Sequence, residues 1–184
     1  MASTLTTVFI ALLVITTLTR IWLGNRHVRH VQAHREQVPA AFAGSISLDA
    51  HRKAADYTSA KTRLVIQESI AQAILLALLT IGGGLMLIDD AWRALVVEHE
   101  IMRGALVILT AFVVSAVVEL PFDYYKTFVI DQKFGFNKMT PAMFFSDLVK
   151  HSLVGLVLGA PILFAALALM QSAGDYWWLY LWVV

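Results

Sequence analysis

Four long apolar runs set the hydropathy pattern of the chain: Leu5–Leu23, Leu64–Ile88, Ala105–Leu120 and Leu148–Met170, with charged and aromatic stretches between them. A helix rises about 1.5 Å per residue and needs about 20 apolar residues to cross a hydrocarbon core of about 30 Å. Each run meets or approaches that length, so the expected fold is all-α: a polytopic helical membrane protein with four full transmembrane helices. A fifth apolar run begins at Tyr176 (YWWLYLWVV) and reaches Val184. At about 1.5 Å per residue it covers less than half of the core. It reads either as an aromatic interfacial anchor or as a span in which the sequence has been cut; the second is the expectation, giving four spans plus the start of a fifth.

Composition strengthens this reading. Of 184 residues, 59% are hydrophobic and 15% charged, and the mean hydropathy of +0.71 lies outside the range of water-soluble domains. The bilayer is the first expected partner. The absence of cysteine excludes a disulfide framework, a cysteine-based zinc site and a thiol nucleophile. Lys and Arg number 14 against 13 acidic residues, which excludes the basic footprint of a nucleic-acid binder. The first run has no basic segment before it and no small-residue cleavage site after it, so it reads as a retained helix and not a signal peptide. Basic residues number eight from Arg20 to Arg63, two from Asp89 to Arg103, four from Phe122 to Lys150 and none from Gln171 to Asp175. By the positive-inside rule, that alternation puts the amino terminus outside and the first and third connections in the cytoplasm.

The connections carry the chemistry. In RHVRHVQAHR, His27, His30 and His34 share a helical face, yet Arg26, Arg29 and Arg35 would repel a cation, and a basic segment at lipid headgroups is the simpler reading. SLDAHRKAADYTSAKTR starts a second helix with Ser47 as N-cap, Asp49 in the first turn and an Asp49–Lys53 pair, running straight into the second span. Glu68 and Glu119 stand at membrane boundaries, each either lining a hydrated cavity or snorkelling at the interface. Gly82–Gly84 is read either as a close helix approach or as a helix terminus. HEIMR, at His99 to Arg103, opens like the zinc-protease motif but has Arg103 where a second histidine is required, so no metal is expected there.

Between the third and fourth spans lies ELPFDYYKTFVIDQKFGFNKMTPAMFFSDLVK. Pro121 is expected to end the third span, Tyr124–Ile130 to sit at the interface, and Gly135 to take positive φ in a turn. Thr140 as N-cap with Pro141 at the first helical position restarts a helix. Two readings are open: an element built to pack against something on the cytoplasmic side, and an interfacial re-entry segment without a partner.

PFDYYKTFVIDQKFGFNKMTP closely resembles the sequence between the third and fourth membrane helices of type I CAAX prenyl proteases and their bacterial relatives. ISLDAHRKAADYTSAKTR, from Ile46 to Arg63, resembles that family's segment leading into the second helix. The motif positions of the linker are Pro121, Tyr125, Asp131, Gly135, Phe136, Asn137, Thr140 and Pro141; Asp131 departs from the pattern, where the family more often has Glu. The resemblance implies that residues 1–184 are the amino-terminal transmembrane domain of a membrane zinc metalloprotease. Its spans would enclose a water-filled chamber, with Glu68 and Glu119 as candidate polar lining. It also implies a catalytic zinc on the cytoplasmic side, held by HExxH and a further glutamate that lie outside this sequence. No catalytic or metal position is carried over. The chain's implied partners are its own carboxy-terminal protease domain and a peptide or protein substrate, either a prenylated C-a-a-X protein or a misfolded membrane protein. The implied location is the bacterial inner membrane. Two other classes stay in view, a non-catalytic membrane scaffold and a small transporter component.

Overall fold

The computed structural model describes residues 2–179. Its long helices are α1 (Ala2–Ala33), α2 (Leu48–Thr80), α4 (Glu100–Tyr125) and α6 (Pro141–Ser172), joined by the shorter α3 (Gly84–Leu95) and α5 (Gln132–Phe134). A π-helical segment, Lys126–Asp131, links α4 to α5. Among the described residues, four helical stretches are long and apolar enough to cross a membrane: Ser3–Ala33, Leu48–Thr80, Glu100–Phe134 and Pro141–Ser172. The all-helical, four-span expectation is met. The fifth run is described only as far as a 3₁₀ turn at Gly174–Tyr176 and helical residues through Leu179; residues 180–184 lie outside the described residues.

The chain divides into two compact units, one running up to Gly82 and including Ser115–Lys138, the other comprising Gly83–Val114 and the chain from Met139 onward. In the first, α1 packs along α2. A Cβ on Gly24 would fall 2.7 Å from Ile66 Cδ1, so α1 lies close to α2 there and any side chain on Gly24 would oblige Ile66 to move. Farther along, Gln32 Nε2 donates to Ser59 Oγ at 2.7 Å, giving buried Ser59 its partner. The small core of this unit is Leu64, Ile130 and Phe134, with Tyr57, Ala60 and Phe122 packed against it.

In the second unit, α3 is held against the start of α4. Trp92 Nε1 donates to Thr110 Oγ1 at 2.9 Å, and the Asp89 carboxylate accepts from Arg93 at 2.7 Å and lies 3.2 Å from Arg103 Nε. Most leucines and valines of the spanning helices are exposed, among them Leu12 at 58% and Val157 at 68%. Such apolar outer surface is at home against lipid tails.

Several boundaries differ from expectation. The second span does not reach Ile88: α2 ends at Thr80, and Gly83, at φ +77°, turns the chain so that Leu85–Ile88 belong to α3. Asp89–Arg103 is accordingly mostly helix. Pro121 does not end the third helix, which continues through it to Tyr125 and on through the π segment. Proline in a helix interior removes one backbone hydrogen bond, a loss that membrane helices tolerate where neighbours compensate. Tyr124–Ile130 is therefore helical. Asp49 lies 3.7 Å from Arg52, while the Lys53 ammonium sits over the Phe136 ring at 5.7 Å, so the expected Asp49–Lys53 pair is absent among the described contacts. Both N-caps are as expected: Ser47 Oγ accepts from Ala50 N and Thr140 Oγ1 from Met143 N, each at 3.2 Å.

Candidate functional site

The two sequence motifs meet in space. Tyr57, in the segment leading into α2, donates its hydroxyl to Asp131 Oδ1 at 3.0 Å across a separation of 74 residues. Its ring stands edge-on to Phe134 at 5.4 Å and tilted against Phe136 at 4.8 Å. The shorter Asp131 carboxylate thus reaches its tyrosine, with the π segment carrying it there.

Gly135 closes the helical end. At φ +77° it takes a conformation costly for any residue with a Cβ. This lets Phe136 N and Asn137 N both donate back to Asp131 O, at 2.8 and 3.2 Å, while Gly135 N donates to Gln132 O at 3.1 Å. Asn137 Nδ2 donates to Gln132 Oε1 at 2.9 Å. Tyr125 is exposed at the π-segment boundary. Thr140 and Pro141 begin α6, in the second unit.

A charged layer covers the α1–α2 end of the site. Arg35 forms a two-pronged pair with Asp56, Nε to Oδ1 and Nη2 to Oδ2, both 2.8 Å, and also reaches Glu36. Asp56 first, then Glu36, hold the Arg35 guanidinium well above its ordinary range. Arg52 also bonds Glu36, with Nε at 2.9 Å from Oε2. The Arg52 bond lowers the Glu36 pKa most; loss of hydration opposes it, and Arg35 lowers it further. His51 Nε2 lies 3.0 Å from His34 O. Gln32, His34 and Arg35, at and just past the end of α1, therefore tie the chain to α2.

A second polar group lies within the spans. Gln72 Nε2 donates to Glu119 Oε1 at 2.8 Å and lies 3.5 Å from Glu68 Oε1, so one amide links the two glutamates that stood apart in sequence. Gln72 and Glu119 also line a cleft of about 350 Å³ between α1, α2 and α4, together with Arg20 and Ser69.

The His30 and His34 rings touch at 4.3 Å, and His34 Nδ1 lies 2.8 Å from the His30 carbonyl. Arg103 is engaged by Asp89. Among the described residues no group of three His, Asp or Glu side chains is placed to hold a metal ion.

Sequence reasoning missed the Arg35–Asp56 pair and the role of Tyr57. The signal for Tyr57 was its place in the first motif, but its partner could not be read without the fold.

Four apolar helices and an ordered polar end define an integral membrane protein of the polytopic helical class. Residues 27–184 match the family model described as CAAX prenyl protease N-terminal, five membrane helices, and the chain belongs to that family. A CAAX prenyl protease 1 homolog of Caenorhabditis elegans is 28% identical over 167 residues, covering 89% of this chain and 37% of the relative. The Oryza sativa subsp. japonica homolog is 39% identical over 85 residues, 46% of this chain and 20% of the relative. The crystal structure of S. mikatae Ste24p superposes with a TM-score of 0.82 over 94% of this chain and 42% of that one, at 22% identity, a likeness of fold. The chain thus spans less than half the length of these relatives.

Proposed function

We propose that residues 1–184 form one domain, the membrane-embedded amino-terminal part of a zinc metalloendopeptidase of the CAAX prenyl protease type. The domain helps to form an intramembrane chamber and supports a catalytic domain on the cytoplasmic side. The observation that carries this reading is the junction of the two motifs through Tyr57, Asp131, Phe134 and Phe136. A linker held in that way is a rigid platform, with Phe136 and Tyr125 left exposed for a further part of the protein to cover. Glu68 and Glu119, joined through Gln72, are the polar lining. The amino terminus faces outward and the linker lies in the cytoplasm, in a bacterial inner membrane. Zinc belongs to ligands outside this sequence, and the substrate is a peptide or protein.

The intact protein should hold one zinc per chain and cleave peptides, whereas the 184-residue chain alone should do neither. One tightly held zinc on this chain alone, lost in His30→Ala, would overturn the assignment. Single cysteines at Ala50 and Asn137 should be shielded from an impermeant outside reagent, and one at Ala91 should react; outside labelling of Asn137→Cys would reverse the topology. The Glu68–Gln72–Glu119 row also fits a small transporter component. Solute flux in proteoliposomes lost in both Glu68→Gln and Glu119→Gln would favour that alternative.

A further inference from the structure

Arg20 lies within the first apolar run, three positions before its end at Leu23. It is exposed, and among the described residues it forms no ion pair. An arginine inside a spanning helix needs an anion or water for its guanidinium. Its planar fork of donors matches a phosphate.

The cleft beside it supplies the rest of a ligand's outline. Its polar end carries Arg20, Ser69, Thr16 and Glu119, and its other wall is built from Leu13, Leu75, Leu76 and Leu79. From Gln72 to Leu79 the apolar wall extends about 10 Å along α2. A shallower depression of about 250 Å³ shares Arg20 and Ser69 and continues past Leu23 and Val65. One face thus presents a cation, a carboxylate and hydroxyls at the edge of the apolar run, with leucines leading away from them.

We propose that this cleft binds one zwitterionic phospholipid with a primary-amine headgroup, its phosphate on Arg20, its ammonium on Glu119 and an acyl chain along the leucine wall. Glu119 Oε1 accepts from Gln72, and among the described contacts Oε2 is left for another donor. A primary ammonium carries three N–H donors, whereas a choline headgroup has none to give. Phosphatidylglycerol would place its phosphate on Arg20 in the same way but brings hydroxyls and no cation to the Glu119 carboxylate. Hydrogen-bond donors therefore select phosphatidylethanolamine over phosphatidylcholine, and charge complementarity selects it over phosphatidylglycerol. The proposal rests on the cleft alone and stands or falls separately from the protease reading.

Native mass spectrometry of the 184-residue chain, exchanged into detergent with equal amounts of these three lipids, tests it. The expected spectrum shows one phosphatidylethanolamine per chain, retained about tenfold over the other two, since one good hydrogen-bonded contact to a charge is worth about a factor of ten. Arg20→Gln should lower total lipid retention about tenfold, while Glu119→Gln should retain lipid and bring the ethanolamine-to-choline ratio near one. Glycerophosphoethanolamine, which has the headgroup without acyl chains, should not displace the lipid. Unchanged helicity and a monodisperse profile establish that the variants are folded. If Arg20→Gln does not fold, Arg20→Lys, which keeps the charge and loses the fork, should bind more weakly than the parent. Equal retention of all three lipids, retention unaffected at Arg20, or displacement by the acyl-free headgroup would each overturn the proposal.

Discussion

Replacing Phe134 with alanine probes the join between α2 and the π segment most directly. The side chain is 8% exposed, packs with Leu64 and Ile130, and meets the Tyr57 ring edge-on at 5.4 Å. Phe→Ala at a buried site costs about 3–5 kcal/mol from lost transfer energy and the cavity left behind. The edge-on ring pair is part of that loss, at about 0.5–1.5 kcal/mol. For a chain of this size each kcal/mol moves the melting temperature by about 2–4 °C, so the expected fall is roughly 6–20 °C. Unfolding in detergent is commonly irreversible, and the readout is the apparent melting temperature at one fixed scan rate. The control is Phe136→Ala: that ring touches Tyr57 but is 57% exposed, and its loss should shift the transition by less than half as much. Equal shifts for the two variants, or a shift below about 2 °C for Phe134→Ala, would mean that the cluster does not hold the segment.

Three further outcomes are expected. Because Glu36 has a lowered pKa in the fold, its contribution is present above the ordinary glutamate value of about 4.3 and is lost as pH falls through the lowered one. Melting temperature measured down to about pH 3 should therefore drop less steeply in Glu36→Gln than in the parent, and identical profiles would remove the carboxylate from the account. Gly83→Ala meets no neighbouring atom and so isolates the cost of positive φ, about 1–2 kcal/mol, readable as a lower melting temperature. Thr140→Ala should cost about 1 kcal/mol through the lost α6 cap, with Thr140→Ser restoring most of it.

Local signals were the legible part of this fold. Ser47, Thr140–Pro141 and Gly135 each act through backbone groups only a few residues away, and such chemistry is visible in a short window of sequence. Hydropathy found the spans but not their ends. Leu85–Ile88 are as apolar as the residues of α2, and only the φ of Gly83 assigns them to another helix. Pro121 was misjudged because the rule that proline stops a helix weighs one lost hydrogen bond and not the packing beyond it. That packing, Ile130 and Phe134 on Leu64, lies a full helical segment downstream. In the candidate site Glu68 and Glu119 were legible as unusual residues. Their connection through Gln72, like the reach of Tyr57 to Asp131, spans 47 and 74 residues and leaves no mark on a single sequence.

The π segment changes how positions along this helix should be counted. Phe122 and Phe134 are twelve positions apart and both pack on the Leu64 cluster. At about 100° per residue an unbroken α-helix would set them about 120° apart in azimuth. One widened turn at Lys126–Asp131 takes up about one residue, which brings the two rings to within roughly 20° of a common face. Eleven α-helical residues, close to three full turns, would do the same. A relative one residue shorter between Phe122 and Phe134, with an ordinary α-helix there, would therefore present both rings to the same cluster. For such a relative, correspondence would follow angular position around the helix, and an alignment gap of one residue would mark a lost bulge and not a displaced side chain.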